Sequence, residues 1–81
     1  MSARSHFVKE LALAAARVVQ SDKIIAVQRR HIARLKCKGS NIRYAEDILE
    51  TMLEVHAHHH GVHTQLLHAL LTTTARPAMA Y

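Results

Sequence analysis

The sequence predicts an all-α protein: an antiparallel two-helix hairpin that dimerises into a four-helix bundle. Three observations predict it. Aliphatic residues recur at heptad spacing through the first half, a glycine interrupts the middle, and a second heptad row of matching length follows. Ala, Leu, Arg, Lys, Gln and Glu, all good helix formers, dominate the 81 residues, and the few aromatics are Phe7, Tyr44 and Tyr81. A core without many rings has to be built from aliphatic side chains, as in helical bundles.

The first helix is expected over about Ser5 to Lys38. Leu11, Val18, Ile25 and Ile32 stand seven apart, and Phe7, Ala14, Ser21, Gln28 and Leu35 form the companion row. Ser21 and Gln28 make that second row polar in its middle. Lys36 and Lys38 then place cations at the carbonyl end of the helix dipole. Gly39 follows, suited to the left-handed backbone of a C-cap, and Ser40 or Asn41 can cap what comes next. The turn is therefore expected at 38–41.

The second helix is expected over about Ile42 to Thr73. Glu46 and Asp47 lie on the favourable side of its dipole. Its inward row reads Ala45, Leu49, Met52, His56, His59, His63, Leu66 and Leu70. Gly61 inside it signals a bend or a close approach. The tail 74–81, Thr-flanked and containing Pro77, is expected to be disordered. Folding the chain at Gly39–Asn41 sets Ile32 against Ile48 and Leu49, Gln28 against Met52, and Ser21 and Asp22 against His59. Both ends of the seam are then aliphatic and its middle is polar on both helices. The whole chain, 1–81, reads as one domain.

Length limits the core. A single core in a chain this short supplies no more than about 3–5 kcal/mol unless disulfides, a metal or a partner subunit add to it. Cys37 is the only cysteine, so no intrachain disulfide can form, and a lone thiol suits a reducing, cytoplasmic setting. Leu13, Val19, Ile24, Leu53 and Leu71 fall off the seam, and a second copy would cover them. A homodimer is the expected partner, with a further protein partner of unknown kind. The longest apolar run, Leu11–Ala16, ends at Arg17 and falls far short of the ~20 residues of a membrane span.

The histidines are the unusual feature. His56, His58, His59, His60, His63 and His68 all lie on the second helix. The i, i+4 pairs His56/His60 and His59/His63 each share a helix face. Neutral imidazoles so spaced suit Zn, Ni or Cu, which makes His56, His59, His60 and His63 the candidate metal ligands, with Asp22 as a further donor. No HExxH motif accompanies them. Two other readings compete. In one, the histidines form an interior polar layer with Ser21, Asp22 and Gln28, which fixes register and oligomeric state and needs no cofactor. In the other, charging them below pH ~6.5 forces the layer apart, a pH-responsive device.

From Lys23 to Ala45 the chain carries Lys23, Arg29, Arg30, Arg34, Lys36, Lys38 and Arg43 and no acid, within a net charge of +5. Arg29, Arg30, Arg34 and Arg43 are the candidate nucleic-acid contacts, weighed against a solvated face with no aromatic positioned to stack on bases. No Ser/His/Asp or Cys/His arrangement is supported by spacing, and no Gly-rich phosphate loop is present, so catalysis is not expected.

Ile25, Gln28, Ile32 and Leu35, followed by Gly39, Ala45, Leu49, His56, His59 and Leu66, make a pattern that spans a little over half the chain. It resembles a group of short bacterial helical-hairpin proteins with no assigned activity. The resemblance implies a bacterial cytoplasmic protein with the hairpin fold and brings no chemistry. The run from His56 to His63 goes beyond that group's pattern.

Overall fold

The structure is a computed structural model that describes residues 3–79, with side chains described over 4–72. Two helices, α1 (Ala3–Cys37) and α2 (Arg43–Met79), make up the fold. They pack antiparallel along one seam into a rod of 66 × 20 × 14 Å. No strand occurs among the described residues.

The two heptad rows of α1 are the face that α2 covers. Ala14, Ile25 and Ile32 are buried, as is Ser21, while Phe7, Leu11, Val18, Gln28 and Leu35 are half-buried. On α2, Ala45 is buried and Leu49, Met52, His56, His59, His63, Leu66 and Leu70 are half-buried. Spacing of seven thus translates directly into burial, because 3.5 residues per turn keeps one stripe facing the partner helix.

The turn is built by a named set of bonds. Ser40 N–H donates to Leu35 O at 3.0 Å and Gly39 N–H to Lys36 O at 3.0 Å. This pair is the Schellman arrangement, which satisfies carbonyls that a helix end leaves open. It requires a left-handed residue, and Gly39 has φ +70°. Arg34 and Lys36 in the last turn add cations beside the exposed carbonyls. Asn41 Oδ1 then accepts from Arg43 N–H at 2.9 Å, and Ile42 O accepts the first bond of α2 from Glu46 N–H at 2.8 Å. Asn41, not Ser40, is therefore the capping side chain.

The two glycines predict opposite outcomes. Gly39→Ala forces a Cβ into the left-handed region and is expected to cost about 1–2 kcal/mol. A Cβ on Gly61 would meet nothing within 4 Å, so no close approach explains this glycine. Gly61→Ala is expected to stabilise by about 1 kcal/mol through helix propensity alone. Urea unfolding followed by circular dichroism checks both signs.

Two expectations need correction. The second helix continues six residues past Thr73, so 74–79 is helical rather than a disordered tail; Ala80 and Tyr81 lie outside the described residues. Ala75 and Ala78 are strong helix formers. The register also differs. Ser21 and Asp22 meet His56 rather than His59, and Gln28 reaches Ala45 rather than Met52. Counting residues across the turn treats every residue as equal in length. A non-helical residue covers up to ~3.3 Å against ~1.5 Å in a helix, so Ser40–Ile42 carry the chain back along α1 before α2 begins.

Candidate functional site

The polar middle of the seam is a closed set of bonds centred on His56. Its ring is 18% exposed and lies on the inward row of α2. Its Nδ1 is hydrogen-bonded to Ser21 Oγ. Its Nε2 faces Asp22 Oδ1 at 3.3 Å. Ser21 Oγ also donates to Val18 O at 3.0 Å, one turn back on α1. Two to three turns nearer the link, Gln28 Nε2 donates to Ala45 O at 2.9 Å, a second polar tie between the helices.

Hydrogen-bond counting shows what this layer tolerates. A serine has one hydrogen to give and two lone pairs, and an ionised carboxylate only accepts. With the Ser21 hydrogen on Val18 O, both ring nitrogens face acceptors, and an imidazolium satisfies both. With a neutral ring, Nε2–H stays on Asp22 and the Ser21 hydrogen turns to Nδ1. Neither state orphans a buried atom. Among the described residues no buried side-chain nitrogen or oxygen lacks a partner. The layer is therefore not arranged so that charge on His56 pushes it apart. The Asp22 carboxylate is 66% exposed, so this ion pair is a rim contact of modest strength.

The four candidate metal ligands do not converge. Both nitrogens of His56 are occupied by Ser21 and Asp22, which leaves no lone pair for a metal. The His60 ring stacks edge-on against His56 with centroids 5.0 Å apart, a packing contact between rings. The His59 ring lies 6.0 Å from His58. His59 and His63 remain as an i, i+4 pair, two donors where a structural zinc takes four. No group of three or more His, Cys, Asp or Glu among the described residues is placed to hold a metal ion. Cys37 is exposed at the far end of α1.

A Ser/His/Asp trio, which the spacing gave no reason to expect, does come together at Ser21, His56 and Asp22. Its surroundings are those of a structural tie. Ser21 is 9% exposed and sits in mid-helix, where neighbouring backbone N–H groups are committed to the helix ladder. No pair of free donors is available to stabilise an oxyanion. The nearest hollow, about 170 Å³ between Ser21, Ile24, Thr51, Met52 and Val55, is a shallow apolar groove.

At the link end, Arg29, Arg30, Arg34 and Arg43 are all exposed. Sequence reasoning overlooked Tyr44, which is 77% exposed beside Arg43; its place one residue into α2, off the heptad row, was the available signal. The positive surface is nonetheless interrupted. Glu46, Asp47, Glu50 and Glu54 are exposed on the adjoining half of α2, and a phosphate backbone laid along the rod would meet them. A hollow of about 330 Å³ on this side is lined by Arg29 and Lys36 but also by Glu46.

No protein-family model, curated protein or solved structure matches the chain. No helix among the described residues is long and apolar enough to cross a membrane.

Proposed function

We propose that this protein is a self-associating helical-hairpin interaction module, without catalytic activity, whose register is set by the Ser21–His56–Asp22 layer. The observation that carries this reading is surface. The hairpin exposes 6320 Å², whereas a compact folded monomer of its mass exposes about 4,900 Å². The excess, roughly 1,400 Å², is more than the ~800 Å² that one partner contributes to a standard interface. The inside tells the same story: the buried apolar residues are Ala14, Ile25, Ile32 and Ala45, and no large side chain is fully buried among the described residues. Such a core falls short of what a small domain needs by itself. A second hairpin completes it as a four-helix bundle. The lone exposed thiol of Cys37 supports a reducing, cytoplasmic setting.

Sedimentation equilibrium of untagged protein, with Zn²⁺, with Ni²⁺ and with a chelator, tests this. The expected result is a dimer whose mass and helicity ignore all three additions. A monomer under every condition would remove the self-association reading. Assembly that requires stoichiometric metal and is lost in His59→Ala or His63→Ala would replace it with the metal-binding one. Binding to RNA that weakens steeply with salt would instead point to the arginines at the link.

A further inference from the structure

We infer that the second copy docks on one particular face of the hairpin, with the two turns at opposite ends of the bundle. This rests on the self-association reading and goes on to name the surface and the symmetry.

The hairpin has two faces beside its seam. On one, α2 presents Ile48, Val55, Val62 and Ala69, an unbroken apolar row seven residues apart. Apolar seam positions plus one flanking row give the three-in-seven pattern of a helix facing a bundle core. The groove that Ile24 shares with Val55 and Thr51 puts α1's Ile24 on the same side. Val27 and Leu13 extend it, lying one and three turns from Ile24 on the same helix flank. Leu13, Ile24, Val27 and Val55 are 46%, 42%, 53% and 46% exposed. The opposite face exposes Val8, Val19, Leu53, Leu67 and Leu71 as well, but Asp22, Arg29, Lys36, Glu46 and Glu50 interrupt its rows, and its 330 Å³ hollow carries Arg29, Lys36 and Glu46.

The row on α2 is self-complementary when reversed. Turned about a point between His58 and His59, Val55 meets Val62 of the second copy and Ile48 meets its Ala69. On α1, Leu13 meets Ile24 of the second copy when the turn is made about a point between Val18 and Val19. These two points lie at one level of the rod. The bond between His56 and Ser21 sets those residues level. In an antiparallel pair, the step from His56 up to the His58/His59 midpoint matches the step from Ser21 back to the Val18/Val19 midpoint. A single twofold axis across the rod therefore satisfies both helices, as an isologous dimer requires.

At the turn end, charge supports the same orientation; Arg17, the residue of the Ile24 row nearest the twofold axis, is exposed. Toward the turn, the α1 rows through Ile24 and Val27 continue into His31 and Arg34. The α2 positions on that flank are Tyr44, Thr51, His58 and Gln65, none of them acidic. With the turns together, Arg34 and its copy would crowd one end without a counter-charge. With the turns apart, they are separated by far more than the ~8 Å screening length of physiological salt.

Cys37, exposed near the turn, reports the geometry without substitution. A nitroxide on Cys37 should give a pulsed-dipolar distance of about 55 Å across the dimer, the helical rise between the two sites. A distance below about 30 Å would mean the turns lie together and would overturn the inference while leaving self-association intact. A monomeric protein would overturn both. The face is tested by two variants followed by sedimentation and circular dichroism. Val55→Glu should weaken dimerisation at least 100-fold, and Leu53→Glu, on the opposite flank of α2, should leave it within a few-fold. Dissociation by Leu53→Glu, or a dimer indifferent to Val55→Glu, overturns the assignment of the face.

Discussion

Ile32→Ala is expected to cost about 2–4 kcal/mol, the usual penalty for deleting a buried aliphatic side chain and leaving a cavity. In this protein that is most of what its own core supplies, since small single cores contribute no more than about 3–5 kcal/mol. Ile32 is 7% exposed and sits opposite Ala45 and Leu49 near the turn, one of only four buried apolar residues among those described. Neighbouring alanines cannot reach into the gap, so little of the loss is recovered by relaxation. Urea unfolding monitored at 222 nm should show a midpoint shifted far down or a largely unfolded chain at 25 °C. The matched control is Val27→Ala. Val27 is 53% exposed in the hairpin, so in dilute, monomeric samples its loss should stay within about 0.5 kcal/mol. Equal effects of the two would mean that the seam is not the core.

Much of this was legible because helix packing obeys a short rule. The rows through Leu11–Ile32 and Phe7–Leu35 named in advance every heptad position that α2 covers on α1, including the buried Ser21. Gly39 announced its own turn, because a Schellman cap needs a left-handed residue. The pairing across the seam was harder. His59 was expected at Ser21, and His56 stands there instead, because residue counting assigns the same rise to helical residues and to the link at Ser40–Ile42. One helical turn of error changes which histidine meets Ser21 and Asp22 and therefore which chemistry is available. A metal set of His56, His59, His60 and His63 is plausible on a helical wheel. It dissolves once His56 spends both nitrogens on Ser21 and Asp22. Tyr44 was overlooked for a related reason: a residue off the heptad row carries no packing signal, so its exposure had to be seen.

The polar layer should cost stability and supply specificity, and two His56 variants separate those effects. His56→Ala leaves a gap in the middle of the seam and returns the exposed Asp22 carboxylate to water. Ser21 keeps its bond to Val18 O, so no hydroxyl is orphaned, and the loss should be about 1–3 kcal/mol, mostly from packing. The double variant Ser21→Ala with His56→Leu removes both partners of the buried bond and fills the space with an aliphatic chain. Replacing both sides of a buried polar contact with apolar groups is often neutral or stabilising. The α1 side of the seam would then read aliphatic from Leu11 to Leu35 apart from Gln28, leaving the Gln28–Ala45 tie and the half-buried His59 and His63 as the polar features that prefer one register over a neighbouring one. The double variant should therefore match or exceed the parent in urea midpoint while losing uniqueness. Sedimentation velocity should show mixed oligomers, and the amide resonances of α1 and α2 should broaden or double. A double variant that stays a single sharp species would assign register to the apolar rows and the turn, and reduce His56 to a tolerated polar residue. One that is destabilised by as much as His56→Ala alone would show that the layer contributes net stability, contrary to the balance argued for buried polar pairs.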